Sequence, residues 1–121
     1  SLITIDNDPE LIAIAQHYFG NDSRVKILCE DGSLWIKSNK EARFDFIFAD
    51  AWPGKYSEID EILEMVDIGG FYVIDDMTHQ PNWPEGHDEM AQDLVTYLES
   101  RNDLSLTKLD WSTGVIIAVK G

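Results

Sequence analysis

The sequence predicts an α/β domain: an open, mostly parallel sheet with helices on both faces, closed by a C-terminal antiparallel hairpin. Three observations carry this. Short β-branched apolar runs alternate along the chain with stretches that have helical apolar spacing. Four of these runs end on aspartate or reach one within two residues, giving Asp6, Asp31, Asp50 and the pair Asp75-Asp76. The last two runs are joined by a connection short enough for a hairpin. The resulting order, β-α-β-α-β-α-β-α-β-β, is the pattern of parallel βαβ units.

Leu2 to Ile5 is short, β-branched and apolar, and reads as a strand ending at Asp6. Asp8-Pro9-Glu10 is a helix start, with an N-cap carboxylate, proline at the first helical position and an acid in the first turn. Leu11, Ile12, Ile14, Ala15, Tyr18 and Phe19 supply that helix's buried side, and Gly20-Asn21-Asp22 stops it. Val25 to Cys29 is a second strand, followed by Glu30-Asp31-Gly32-Ser33 and a short helix over Leu34 to Ser38. Phe44 to Ala49 is a third strand, and its near-continuous apolar character predicts burial on both faces.

After the loop Trp52-Pro53-Gly54-Lys55-Tyr56, Ser57 is expected to cap a helix from about Glu58 to Asp67, with Ile59, Ile62, Leu63 and Val66 inward. Gly69-Gly70 punctuates, and Phe71 to Ile74 is a fourth strand. A polar loop from Met77 to Gly86 leads to a helix over His87 to Ser100, carrying Met90, Leu94, Val95 and Leu98. Leu104 to Leu109 and Val115 to Val119 form the closing pair, joined by Asp110 to Gly114.

With 121 residues, the chain is expected to form a single domain over 1–121. A hydrophobic content of 44% is ordinary globular composition and argues against disorder. The formal net charge of -14, from 23 acidic and 9 basic residues, repels phosphate backbones and anionic lipid. Nucleic acid and membrane headgroups are therefore not expected as partners. No apolar run approaches the ~20 residues of a membrane span, and no signal peptide is visible. The single cysteine, Cys29, forms no intrachain disulfide and is expected to be buried as a small hydrophobe, consistent with a cytoplasmic location. The chain opens within a strand, as a fragment of a longer protein would.

In open α/β sheets, ligands bind beyond the carboxyl ends of the strands. One strand-end aspartate is often only a helix cap; several projecting toward a common edge indicate a site. Asp6 suits the ribose hydroxyls of a nucleotide-like ligand, since a carboxylate accepts two hydrogen bonds from a diol. The phosphate-binding glycine motif of a dinucleotide enzyme would lie about 20 residues upstream, ahead of Ser1. Residues alone therefore leave the nucleotide-type ligands unseparated. Asp50, Asp75 and Asp76 are hard oxygen donors that suit Mg²⁺ or Ca²⁺; the alternative is one cap and one solvated acid. Lys55 lies in a glycine-containing loop from which it could reach a substrate oxygen. His79 and His87 flank the polar loop, where either could act as a general base. Trp52, Trp83 and Trp111 either wall a pocket for a flat substrate or pack beneath the loops.

These segments resemble a family. Ile3-Thr4-Ile5-Asp6-Asn7-Asp8-Pro9-Glu10 is similar to the second strand and acidic motif of class I S-adenosylmethionine-dependent methyltransferases. Glu30-Asp31-Gly32-Ser33 resembles their adenine-side motif, and Phe44 to Asp50 their fourth-strand motif. Gly69 to Asp76 resembles the fifth strand, where the catechol and caffeoyl-CoA type O-methyltransferases carry Asp-Asn. Asp50 to Tyr56 and Asp75 to His87 look like a bacterial branch of that group. The resemblance implies a Rossmann-like methyltransferase sheet and S-adenosylmethionine as cofactor. It assigns cofactor contacts to Asp6, Asn7, Asp31, Gly32, Ser33 and Asp50, and a divalent cation to Asp50, Asp75 and Asp76. Asp50, Lys55 and His79 are then the candidate catalytic residues.

Two positions depart from the family. Asp76 replaces asparagine, and Pro53 stands where a catalytic lysine is often found, with Lys55 two residues on. The family's first strand and glycine-rich loop would precede Ser1, and that strand normally lies between those of Leu2 to Ile5 and Phe44 to Ala49. The expectation is a longer full-length protein, a homodimer completed by strand exchange, or a rearranged remnant. The function expected is methyl transfer to an oxygen of a small-molecule acceptor. The rival is a non-catalytic, truncated module that self-associates through open sheet edges. A phospho-acceptor receiver domain would carry its acid pair after the first strand rather than the fourth, so strand order argues against it.

Overall fold

The computed structural model describes residues 1–121. The elements follow the expected order: β1 (Leu2–Asp6), α1 (Pro9–Phe19), β2 (Val25–Cys29), α2 (Gly32–Ser38), β3 (Phe44–Ala49), α3 (Ile59–Glu64), β4 (Val66–Ile74), α4 (His87–Ser100), β5 (Leu104–Leu109) and β6 (Val115–Lys120). Contacts divide the chain into two compact units, Ser1–Asn39 and Lys40–Gly121. The strands fall into two sheets, one in each unit.

In the first unit β1 and β2 pair in parallel, from Leu2 opposite Val25 to Asp6 opposite Cys29. The Asp8 carboxylate caps α1 by accepting from the Glu10 N–H at 2.9 Å, with Pro9 at the first position. Gly20 ends the helix in right-handed conformation, φ -62, so its role as a stop does not use a left-handed glycine. Asp31 caps α2 by accepting from the Leu34 N–H at 3.0 Å, which starts that helix at Gly32 rather than Leu34. Packing is thin here, with Ile36 the one buried hydrophobic residue. Leu11, Ile14, Tyr18 and Phe19 were expected inward but lie exposed, and only Ile12 and Ala15 of that face are half-buried. Cys29, expected to be buried, is exposed. Two strands and two short helices offer too little apolar surface to enclose a core of their own.

The second unit has a four-stranded sheet in the order β3-β4-β6-β5. β3 and β4 are parallel, and β6 is antiparallel to both β4 and β5. Three strands thus share one direction and β6 alone opposes them, as the closing hairpin predicts. β4 begins at Val66, five residues earlier than expected, because Val66 already pairs with Phe44. The chain then bulges before Phe71 meets Phe46. Gly69 (φ +84) and Gly70 form this bulge, and a Cβ on Gly70 would lie 2.8 Å from the Asp67 carbonyl oxygen. The early strand shortens α3, whose N-cap is Glu58 in left-handed conformation and not Ser57. Ser57 is held in the preceding turn, its N–H donating to the Trp52 carbonyl and its own carbonyl accepting from Gly54.

The core consists of Leu63, Met65, Val66, Tyr72, Ile74 and Ala118, covered by Ala91, Leu94 and Leu98 of α4. Those three lie three and four residues apart, on one helical face. β3 corrects the expectation of burial on both faces. It is an edge strand, and Phe46 and Phe48 on its open face are 57% and 50% exposed. No helix is long and apolar enough to cross a membrane.

Candidate functional site

Parallel pairing of β3 and β4 sets Ala49 opposite Ile74, so Asp50 and Asp75 leave the sheet side by side. Asp76 would point the other way if the strand continued. Instead it turns into left-handed backbone, φ 53, a conformation aspartate tolerates better than most residues. As a result, carboxylate oxygens of Asp50, Asp75 and Asp76 all lie within 4.8 Å of one another. The next residues are tied to the β5–β6 turn: the Met77 and Thr78 N–H groups donate to the Gly114 and Thr113 carbonyls at 3.1 and 3.0 Å.

The loop after Asp50 is a tight turn. The Trp52 carbonyl accepts from the N–H groups of Lys55, Tyr56 and Ser57 at 3.0, 2.9 and 3.0 Å. The buried Tyr72 hydroxyl donates to the Gly54 carbonyl at 2.7 Å. Lys55 is thereby directed inward, 4% exposed, and its Nζ donates to the Asp75 carbonyl oxygen at 2.6 Å. Burial pulls the Lys55 ammonium below its ordinary pKa, against the opposing charges of Asp75, Asp76 and Asp50.

Asp75 moves the other way. Burial raises its carboxyl above the ordinary value, and the charges of Asp50 and Asp76 raise it further. Its Oδ1 is buried with no hydrogen-bond partner. Carboxylate anions this close repel each other, and a proton or a cation among them would relieve that repulsion. Burial, then the Asp76 charge, raise the Tyr56 phenol, which stays protonated at neutral pH. Its hydroxyl lies 3.5 Å from His87 Nε2.

The structure does not bring His79 to these acids. Its Nδ1 is 2.7 Å from Asp88 Oδ1, out in solvent. Trp83 packs between the two imidazoles, with centroids 5.9 Å from His79 and 4.4 Å from His87. Trp52 meets Tyr56 edge-on at 5.6 Å, whereas Trp111 is 71% exposed. A groove of about 390 Å³ runs past Lys55, Tyr56, Ile59, Met90, Leu94 and Tyr97. A smaller one of about 210 Å³ lies between Trp52, Pro84, His87 and Met90. Tyr72 is the contributor the sequence reading missed. The signal was a tyrosine in a strand expected to be buried, whose hydroxyl must find a partner.

In the first unit, β1–β2 register puts Asp6 and the Asp31 segment at one end of the strand pair. Asp6 Oδ1 accepts from the Asp8 N–H at 2.8 Å, and Asp31 Oδ1 caps α2. Each carboxylate thus has one oxygen fixed by local backbone. Asn7 is exposed, and Gly32 and Ser33 are half-buried in the first turn of α2.

A family model described as O-methyltransferase matches residues 1–110. The fold is similar to that of a Corynebacterium glutamicum protein, with TM-score 0.85 and 19% identity over 100% of this chain and 61% of that one. It is similar to a Bacillus cereus O-methyltransferase in complex with SAH, with TM-score 0.78 and 18% identity over 98% and 62% of the two chains. A third likeness is to TomG, the Streptomyces achromogenes O-methyltransferase involved in tomaymycin synthesis, in complex with SAM. There the TM-score is 0.77 and the identity 19%, over 98% of this chain and 61% of that one. The chain spans about six-tenths of the length of these structures. At such identities the likeness shows the fold. A search of curated proteins found no match.

Proposed function

The chain belongs to the O-methyltransferase family, and on that premise we propose that it serves S-adenosylmethionine-dependent methyl transfer to an oxygen of a small-molecule acceptor. The observation that carries the reading is the carboxylate trio Asp50, Asp75 and Asp76 at adjacent strand ends. We read the two units as parts of one domain, since a single family model runs across their boundary.

A divalent cation fits the trio. The donors are all hard oxygens, and Asp75 Oδ1 is buried without a protein partner. Asp50, Asp75 and Asp76 would hold Mg²⁺ or Ca²⁺, which, when bound, lowers the cost of ionising an acceptor hydroxyl. S-adenosylmethionine, when bound, supplies a sulfonium methyl that passes to the acceptor oxygen, its C–S electron pair leaving with S-adenosylhomocysteine.

The chain's own residues then divide the work. Asp6, with Asn7 beside it, takes the ribose hydroxyls, and Asp31 with Gly32 and Ser33 takes the adenine edge. Each carboxylate brings one pre-oriented oxygen. Asp50 belongs to the reaction edge. Lys55 donates to the Asp75 carbonyl and His79 is held by Asp88, so each nitrogen is already engaged by the protein. We assign the acceptor proton to His87, which faces Tyr56 and the smaller groove. Trp52 and Trp83 supply flat apolar surface for the acceptor.

Isothermal calorimetry of the full-length protein with S-adenosylhomocysteine tests this, with micromolar binding expected and Asp6→Ala weakening it. An absence of binding would sink it. A second reading, self-association through an open sheet edge, draws on Phe46 and Phe48 exposed along edge strand β3. Light scattering decides it, since a strict monomer counts against both edge pairing and strand exchange.

A further inference from the structure

Lys55 stands apart from every other charged residue in the chain: it alone is buried. A buried ammonium is costly unless its charge is met. Its Nζ touches one oxygen, the Asp75 carbonyl, at 2.6 Å, on the residue whose Oδ1 has no partner. That contact is neutral, so it does not balance the charge. The three carboxylates do, and each of them attracts this ammonium. Its position is not that of a flexible arm that happened to fold in. Three N–H groups converging on the Trp52 carbonyl and the Tyr72 bond to Gly54 fix the backbone from which it projects.

From this placement we propose that Lys55 is a resident counter-cation of the Asp50–Asp75–Asp76 trio. Resting on the cation-site reading above, the proposal assigns Lys55 no part in proton transfer. With all three carboxylates ionised, the trio and one ammonium carry two uncompensated negative charges, which one divalent ion neutralises. Two consequences follow. The trio keeps its shape without a metal, because the ammonium already relieves part of its self-repulsion. It also binds a divalent ion more weakly than three bare carboxylates would, because ion and ammonium repel. Lys55 is a positioning residue whose charge tunes the site.

The test is Mn²⁺ titration of the full-length protein by calorimetry, with thermal midpoints measured in EDTA and in Mn²⁺. Lys55→Gln keeps a donor for the Asp75 carbonyl but removes the charge. It is expected to melt lower than wild type in EDTA, to recover with Mn²⁺, and to bind Mn²⁺ about tenfold tighter or more. Lys55→Arg keeps the charge and should titrate like wild type. Adding Asp76→Asn to Lys55→Gln should abolish the gain, which locates the ion at the trio. Should the glutamine variant not fold, Lys55→Met, apolar and close in volume, is expected to show the same tightening. Equal or weaker Mn²⁺ binding in the folded neutral variant overturns the proposal, as does the absence of Mn²⁺ binding in both wild type and variant. Failure of the methyl-transfer reading would appear separately, as loss of S-adenosylhomocysteine binding.

Discussion

Tyr72 Oη lies 2.7 Å from the Gly54 carbonyl oxygen, and the tyrosine is wholly buried. This bond joins the middle of β4 to the turn that aims Lys55. Tyr72→Phe would leave that carbonyl without its partner and cost about 1–3 kcal/mol. The check is urea denaturation, where the midpoint should fall at constant slope.

Asp75 gives the protein a characteristic acid response. Its folded pKa lies above the ordinary value of 3.8, because burial and then the charges of Asp50 and Asp76 disfavour the anion. The folded state therefore holds this proton more tightly than the unfolded state. Its contribution is fully present below the ordinary carboxylate pKa and is lost as pH rises through the raised one. In EDTA, Asp75→Asn should be relatively more stable at neutral pH than at pH 4. Wild-type and variant stability curves, measured across that range, should diverge as pH rises.

Asp31 has a structural task beside its proposed adenine contact. Asp31→Ala removes the α2 cap and should cost about 0.5–2 kcal/mol, while Asp31→Ser keeps a capping oxygen and should retain most of that stability. Both should weaken S-adenosylhomocysteine binding. Thermal melts and calorimetry on the same variants separate the two tasks.

Gly114 combines φ +89 with contact to the loop that follows Asp76. A Cβ there would lie 2.2 Å from Thr78 Oγ1. Gly114→Ala should destabilise by about 1–3 kcal/mol and loosen the Met77 and Thr78 bonds. Faster amide exchange at those two residues is the expected signature.

The two imidazoles should differ. His87→Ala is expected to lower the transfer rate by about a hundredfold, while His79→Ala, which loses an exposed pair with Asp88, should leave it within a few-fold. Equal effects would remove the basis for choosing His87.

Much was legible without a structure where the cause is local. The bounds of α4 and β5 follow from apolar spacing and the residues that punctuate them, and the α1 start from Asp8-Pro9. The meeting of Asp50 with Asp75 was legible too, because parallel neighbouring strands bring their ends together. What escaped depends on partners distant in sequence. β4 starts at Val66 because Phe44 pairs with it, and that pairing removes the end expected for α3. Phe46, Phe48 and the α1 face are exposed because burial is decided by what packs above a residue, not by its own hydropathy.

The sequence by itself determined the order of elements, the acids at the strand ends and the family, since each is written in contiguous residues. Only the tertiary structure decided what those acids face. Asp76 joins the trio through a left-handed turn, and Lys55 lies buried beneath it because Tyr72, seventeen residues on, holds its loop. Charge and direction at such a point come from groups that meet only once the sheet has formed.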